Sequence, residues 1–294
     1  MVKISVDQKK CNRCGACVAL CTADVFALTE TGAEAVSPET CWRCGHCVAV
    51  CPVDAIEHSA FPLKECPLIE PSQLPSVEQL ALAFRERRSN RVFKQEPVPR
   101  ELVEELLNVT RWTPSASNAR AIHWLVIDDP ERIAAFSRGT VAALGRMVRL
   151  IRNPFLWPVL RLILDKEGTK KVRRSASSYH RLTERLARGE DPIFFHAPVL
   201  LIAHGRKWMR FERDDAIYST YNLMLAAQRL GLGTCQIGFF QFALSRSRRL
   251  RRALDLPKGR RTEIALVLGY PKFPFRRALP RRGPKITWSA PRES

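Results

Sequence analysis

Negative charge is in short supply. Twenty-nine Asp and Glu stand against 48 Lys and Arg in 294 residues, for a net charge of +19. Long apolar runs are missing too: no stretch of 18 apolar residues occurs, so no spanning helix is expected. The opening MVKISVDQKKC contains no apolar signal core, which argues against export and for a reducing cytosol. No G-x-G-x-x-G follows a strand-like run and no G-x4-G-K-[ST] is present, which leaves dinucleotide folds of the doubly wound type and P-loop enzymes without support.

The charge that is present is uneven. Residues 1–70 hold six Lys/Arg and nine Asp/Glu, a balance of −3, so the remainder carries +22. Such a body attracts acidic proteins, anionic lipid, phosphates or nucleic acid. The arginines at 246, 248, 249, 251 and 252 alternate with Leu250, Ala253 and Leu254 at helical spacing, which reads as an exposed helix face. No stacking aromatics or recognition motif accompany them, so specific nucleic-acid binding is not expected.

Cysteine is where the sequence is most explicit. CNRCGACVALC recurs as CWRCGHCVAVC, each with the spacing C-x2-C-x2-C-x3-C. Cys11, Cys14, Cys17 and Cys21 reappear 30 positions on as Cys41, Cys44, Cys47 and Cys51, together with Gly15/Gly45 and Asp24/Asp54. Three thiolates at this spacing wrap one corner of an iron–sulfur cube, and the glycine lets the loop turn tightly. Zinc sites favour two CxxC pairs separated by a longer loop, which fits less well. The stretch resembles the bacterial two-cluster ferredoxins. That resemblance implies crossed ligation: Cys11, Cys14, Cys17 and Cys51 for one [4Fe–4S] cluster, and Cys41, Cys44, Cys47 and Cys21 for the other. Thr22 stands where the second run has Pro52. Cys66 and Cys235 are left over, Cys235 reading as a small core residue. Trp42 and His46, beside the ligands, read as packing over the second cluster.

Residues 61–75, part of a proline-rich run, read as a linker between a domain at 1–60 and one at 76–294. Ser76 and Gln79 form a capping-box pattern that opens a helix to about Arg87. Further helices are expected from Pro99 to Trp112, from Pro130, over 214–230, and as one basic helix over 244–254. Strands are expected at 124–127, 197–203, 234–239 and 263–268. The tail from Lys272 reads as a wrapping arm. Residues 140–190, apolar but studded with arginine, read either as an extra helical layer or as a lid-like insertion over a hydrophobic pocket, with a variant that rests on anionic membrane.

Four blocks in order carry a second resemblance: Arg87-Arg88-Ser89-Asn90-Arg91, Pro114-Ser115-Ala116-Ser117-Asn118, Gly231-Leu232-Gly233-Thr234-Cys235-Gln236-Ile237-Gly238, and Gly269-Tyr270-Pro271. Together they resemble the flavin-dependent nitroreductases, and the whole chain resembles ferredoxin–nitroreductase fusions. The resemblance implies an α+β sandwich that forms a homodimer with FMN at the subunit interface. It implies that Arg87, Arg88, Ser89 and Arg91 hold the phosphate and ribityl chain, with Arg276 or Arg277 closing on the phosphate. Pro114, Ser115, Ser117 and Asn118 would line the flavin, often from the partner subunit, with Gln236, Ile237 and Gly238 beside its N5. The family's Gln-Pro-Trp after the asparagine is absent, since Ala119, Arg120, Ala121, Ile122, His123 and Trp124 follow instead.

The expected function is an FMN-dependent oxidoreductase passing electrons from two [4Fe–4S] clusters through the flavin to a small-molecule acceptor such as a nitroaromatic, a quinone or an activated alkene. An acidic protein is one candidate donor. The competing expectation is an electron-transfer or redox-sensing flavoprotein with no substrate of its own. No side chain stands out as a general acid; His123 and His196 read as structural. Location is expected in the cytoplasm, or peripherally at the inner membrane surface.

Overall fold

The computed structural model describes residues 2–151, 153, 155, 167 and 179–289. The chain divides into two compact units. One comprises Met1–Leu74 with Pro114–Ala121 and Arg210–Asp215; the other comprises Pro75–Thr113, Ile122–Met209 and Ala216–Ser294.

In the first unit the internal repeat becomes geometry. Helix α1 (Ala16–Leu20) and helix α2 (His46–Val50) are each entered through a left-handed glycine, Gly15 at φ 71° and Gly45 at φ 77°. Arg13 and Arg43, at φ 61° and 53°, repeat the turn before them, and Asp24 and Asp54, at 51° and 50°, repeat it after them. Each helix stops at its last cysteine: the Cys21 N–H donates to Val18 O and the Cys51 N–H to Val48 O. Thr22 therefore leaves the turn after Cys21 like its proline-bearing counterpart. Two antiparallel ribbons frame the helices, β1 (Ile4–Val6) with β4 (Ile56–His58) and β2 (Phe26–Leu28) with β3 (Ala33–Ala35). Cys17, Val25, Phe26, Ala33, Val48 and Ile56 form a small core against which Cys11, Cys21, Cys41, Cys47, Cys51, Phe61 and Cys66 pack. A core this small gains from metal ligation, which links folding to cluster assembly.

The second unit is built on a four-stranded antiparallel sheet, ordered β5 (His123–Ile127), β6 (Val199–Arg206), β8 (Arg260–Gly269), β7 (Gly233–Gln236). The two central strands are buried on both faces, so they read as continuous apolar runs. Period-two alternation still sorts their side chains. Leu200, Ile202, Ala265 and Val267 join a core with Phe136 and Leu144 of α5 (Pro130–Ile151) and with Phe240 and Leu244 further along. Val199, Leu201, Leu266 and Leu268 join another with Val103 and Leu106 of α4 (Arg100–Val109) and Leu223, Met224 and Ala227 of α6 (Glu212–Arg229). The result is an α+β sandwich with a helical layer on each face of the sheet. The capping box on α3 (Val77–Glu86) is complete: the Gln79 N–H donates to Ser76 Oγ at 3.3 Å and the Ser76 N–H to Gln79 Oε1 at 2.8 Å.

Two expected elements differ. The strand over 234–239 ends at Gln236, and Gly238 opens helix α7 (Gly238–Arg246), because Phe240, Ala243 and Leu244 bury at helical spacing. The single basic helix over 244–254 is broken at Ser247. Its backbone is extended (φ −117°, ψ 108°) and its hydroxyl accepts the Leu250 N–H at the start of α8 (Arg248–Ala253). Serine favours that capping role over a helix interior. Within the 140–190 stretch, α5 runs on to Ile151 and 179–187 is helical; of 152–178, all but Asn153, Phe155 and Glu167 lie outside the described residues. No described helix is long and apolar enough to cross a membrane. The tail over 272–289 has no regular structure and exposes Phe273, Phe275, Leu279, Ile286 and Trp288.

Leu266, fully buried between its neighbours in the sheet, gives a direct test of the sheet core. Leu266→Ala should lower unfolding stability by about 2–5 kcal/mol, measured by chemical denaturation of the second unit's tryptophan signal.

Candidate functional site

Five of the eight repeated cysteines, Cys17, Cys21, Cys41, Cys44 and Cys47, line one cavity of about 350 Å³. Four of them belong to one set of the crossed ligation expected from the sequence, and Cys17 belongs to the other. Backbone amides point at several sulfurs: Val25 N–H to Cys21 Sγ at 3.4 Å, Arg43 N–H to Cys41 Sγ at 3.3 Å and Ala55 N–H to Cys51 Sγ at 3.2 Å. Such bonds stabilise thiolates carrying cluster charge. Burial pushes the Cys17 thiol up, and the charges of Cys51 and Cys11 push it further. Burial likewise pushes Cys47 up to about 11, with Cys44, Cys41 and Cys21 adding to it. A metal ion among them would favour the thiolate form that burial disfavours.

One contributor was not singled out from the sequence. His58 is buried, with Nε2 3.6 Å from Cys41 Sγ. The Ala60 N–H donates to its Nδ1 at 3.1 Å, which leaves the ring proton on Nε2, facing the sulfur. Burial holds its pKa below the usual value, with the Arg43 charge acting the same way, so the ring is neutral near pH 7. The repeat held the signal: 30 positions earlier the residue is Leu28.

In the second unit three of the four sequence blocks converge. Ser89 bridges to Thr234, and the Asn90 N–H donates to Thr234 O at 2.9 Å. Gly233 permits this approach, because a Cβ there would lie 2.6 Å from Asn90 Cγ. Phe93 bridges to Pro271, and the Lys94 N–H donates to Tyr270 O at 2.8 Å. Arg88 donates through Nη1 to Arg85 O and Arg87 O, while its Nη2 is buried with no hydrogen-bond partner among the described residues. A buried guanidinium nitrogen left this way costs free energy until an acceptor arrives. A hollow of about 750 Å³ beside it is lined by Arg85, Arg87, Arg88, Tyr221 and Ala278–Arg281. The tail residues that reach it include Arg281; Arg276 and Arg277 are not part of its lining.

Gln236 is exposed and its Nε2 donates to Gln241 Oε1 at 3.2 Å. The Ile237 N–H is committed to Ala265 O at 2.9 Å, so it is not available to a ligand. Gly238, exposed, offers the first turn of α7. Cys235 is buried, and burial pushes its thiol up although Arg91, Ser89 and Arg87 work against that; it is a core residue. The fourth block, Pro114–Asn118, belongs to the first unit. There the Ala116 N–H donates to Asp215 Oδ1 at 3.1 Å, and burial, with the nearby Glu212 and Asp214 charges, raises the Asp215 pKa.

The nitroreductase family model matches residues 84–270, and a 4Fe-4S dicluster domain model matches residues 8–55 ahead of it. The chain belongs to the nitroreductase family, joined to an N-terminal ferredoxin-type domain. Among curated proteins it is similar to a chloronitrobenzene nitroreductase of Comamonas testosteroni, 29% identical over 203 residues, 64% of this chain and 84% of the relative. It is also similar to an iodotyrosine deiodinase of Thermotoga neapolitana, 24% identical over 190 residues, 65% of this chain and 87% of the relative. Its fold matches the crystal structure of a nitroreductase with bound FMN from Bacteroides fragilis at a TM-score of 0.53 and 17% identity, covering 72% of this chain and 99% of that one.

The depth of the cysteines predicts an order of chemical labelling. In cluster-free protein at about pH 8.5, the ordinary thiol pKa, iodoacetamide should modify the exposed Cys14 and Cys44 first. Cys47 should react after them, because its thiol deprotonates only as the pH rises toward about 11. Peptide mass mapping over time reads the order, and early labelling of Cys47 would contradict the described packing.

Proposed function

We propose that this protein is an FMN-dependent oxidoreductase in which two [4Fe–4S] clusters, held by the crossed cysteine sets, supply electrons to the flavin for transfer to a small organic acceptor. The observation that carries the flavin half of this reading is the buried, partnerless Arg88 Nη2, aligned with Arg87, Ser89 and Arg91 on a segment tied to β7. An arginine fork of this kind matches phosphate oxygens. The hollow beside it has room for the phosphate end of FMN, and Arg281 supplies a further cation there. Arg91, near the buried Cys235 on β7, adds positive charge that favours a reduced, anionic flavin.

A nitroaromatic is the acceptor class that the chloronitrobenzene nitroreductase relative supports, and the iodotyrosine deiodinase relative supports a halogenated phenol as the next to try. A homodimer fits the surface. Val77, Leu80, Leu82 and Phe84 of α3 and Ile217, Tyr218 and Tyr221 of α6 are exposed, as are the tail's Phe273, Phe275 and Leu279. A second copy covering these side chains would remove them from water. The net charge of +22 outside residues 1–70 favours an acidic protein as electron donor.

Anaerobically purified protein should contain close to eight iron and eight sulfide per chain, read by elemental and sulfide assay, because eight cysteines stand at two-cube spacing. Four iron, or zinc, would refute the assignment. The double variant Arg87→Ala, Arg91→Ala should lose FMN and keep its iron, since each charge-assisted contact to phosphate contributes about 1.5–3 kcal/mol. Stoichiometric FMN in that variant would overturn the phosphate site. Dithionite-driven reduction of a nitroaromatic under anaerobic conditions tests the activity itself. Absence of turnover with full cofactors would make the protein an electron relay instead.

A further inference from the structure

We propose that a hollow at one end of the second unit's sheet binds a compact anion carrying a chain of phosphate groups, held by Lys207, Arg248, Arg252 and Lys258. The site is separate from the hollow beside Arg88 and does not depend on the flavin or cluster reading. Its volume is about 540 Å³, within the range of small-molecule sites. Seven Lys and Arg line it against one carboxylate, Asp255.

The frame of the hollow is fixed by backbone bonds. β6 and β8 stay paired to their ends, with Arg206 opposite Arg260, and the Lys207 N–H donates to Gly259 O at 2.8 Å just beyond. Residues 257–260 make a tight turn: the Arg260 N–H donates to Pro257 O at 3.1 Å, and Gly259 stands at φ 79°. A type II turn needs a left-handed residue at that position, and it sets Lys258 at the tip. The short helix α8, capped by Ser247, supplies Arg248, Arg251 and Arg252.

Three of the cations are committed to this frame. Arg261 donates through Nε to the buried Glu263 Oε1 at 2.6 Å, and through Nη1 and Nη2 to the carbonyls of Lys207 and Met209, each at 3.4 Å. Arg251 donates through Nη1 to Leu244 O, and Arg260 Nη2 lies 2.9 Å from His123 Nε2. The other four, Lys207, Arg248, Arg252 and Lys258, are exposed, and their side chains form no hydrogen bond or ion pair among the described residues. Folding gives no reason for that crowding. Arg248 and Arg252 stand about one helical turn apart, a spacing at which like charges destabilise a helix. A ligand with several negative groups would relieve it.

The class of ligand follows from what the hollow has and lacks. Guanidinium forks match phosphate oxygens, and adjoining phosphates answer several cations at once. No aromatic side chain lines the hollow to stack a base, and none of the exposed large apolar residues lines it to enter a bilayer. A concave wall of this size also suits a compact anion better than the broad face that a folded acidic protein needs.

Calorimetric titration of the full-length protein with sodium tripolyphosphate is the test, with saturating FMN added to occupy the hollow at Arg88. One site is expected, with an affinity that falls as salt rises. The double variant Arg248→Gln, Arg252→Gln should weaken binding about a hundredfold, about tenfold for each lost charge-assisted contact. The double variant Arg246→Gln, Arg249→Gln removes equal charge from the same segment outside the lining and should bind as the wild type does. Both altered arginines of the first variant are exposed and repel each other, so it should melt at or above the wild-type temperature without ligand. Adenosine triphosphate should bind no more tightly than tripolyphosphate, since nothing holds the base. Equal loss of binding in the two double variants, or a lowered melting temperature in the first, would overturn the proposal. So would capture by phosphatidylglycerol vesicles or a polyglutamate peptide with no binding of tripolyphosphate.

Discussion

The hydrogen bond from the Asn90 N–H to Thr234 O, 2.9 Å long, is the contact on which the second unit's chemistry depends. It fixes the arginine segment to the edge strand β7, and β7 in turn is registered against β8 through Thr234 opposite Leu268 and Cys235 opposite Val267. Strands buried on both faces hold their register tightly, because a one-residue slip would exchange the two cores. The rigid sheet therefore sets where Arg87, Arg88 and Arg91 stand. Two glycines make the arrangement sterically feasible. Gly231 takes a left-handed φ of 70° to end α6, and Gly233 leaves room for the Asn90 side chain. The order of these residues in Gly231-Leu232-Gly233-Thr234 follows from that division of labour.

Much of this was legible because the governing rules are local or periodic. The cysteine spacing specifies its own turn geometry, and the left-handed Gly15 and Gly45 follow from it. The Ser76/Gln79 capping box and the apolar strand around Leu200–Ile202 needed only neighbours in sequence. What escaped was tertiary. Nothing local distinguishes Gln236 from Phe239 as the end of a strand; burial of Phe240 and Leu244 against α5 and the sheet decides it. Ser247 breaks a basic run that otherwise keeps helical spacing. His58 carries no signal of its own in the sequence, and only the pairing of β4 with β1 brings it to Cys41. An irregular arm likewise has no period from which to count, so nothing in the sequence placed Arg281 on the wall of the hollow beside Arg88.

The two halves of the cysteine repeat share a backbone, so their differences lie in side chains. In the first loop Asn12 Oδ1 accepts the Cys14 N–H at 3.3 Å, and the loop is closed by its own side chain. In the second, Trp42 replaces Asn12, and its carbonyl is bonded by Asn118 from elsewhere in the chain. Leu28 is matched by His58, an apolar neighbour by a hydrogen-bond donor. A duplicated site under only a folding constraint has no reason to diverge in both respects on the same side. Equal backbones give two cysteine loops of equal shape. Unequal side chains give the two loops unequal surroundings, one closed by its own Asn12 and the other held by Asn118 and faced by His58, and neighbours of that kind are what tune a thiolate-ligated site.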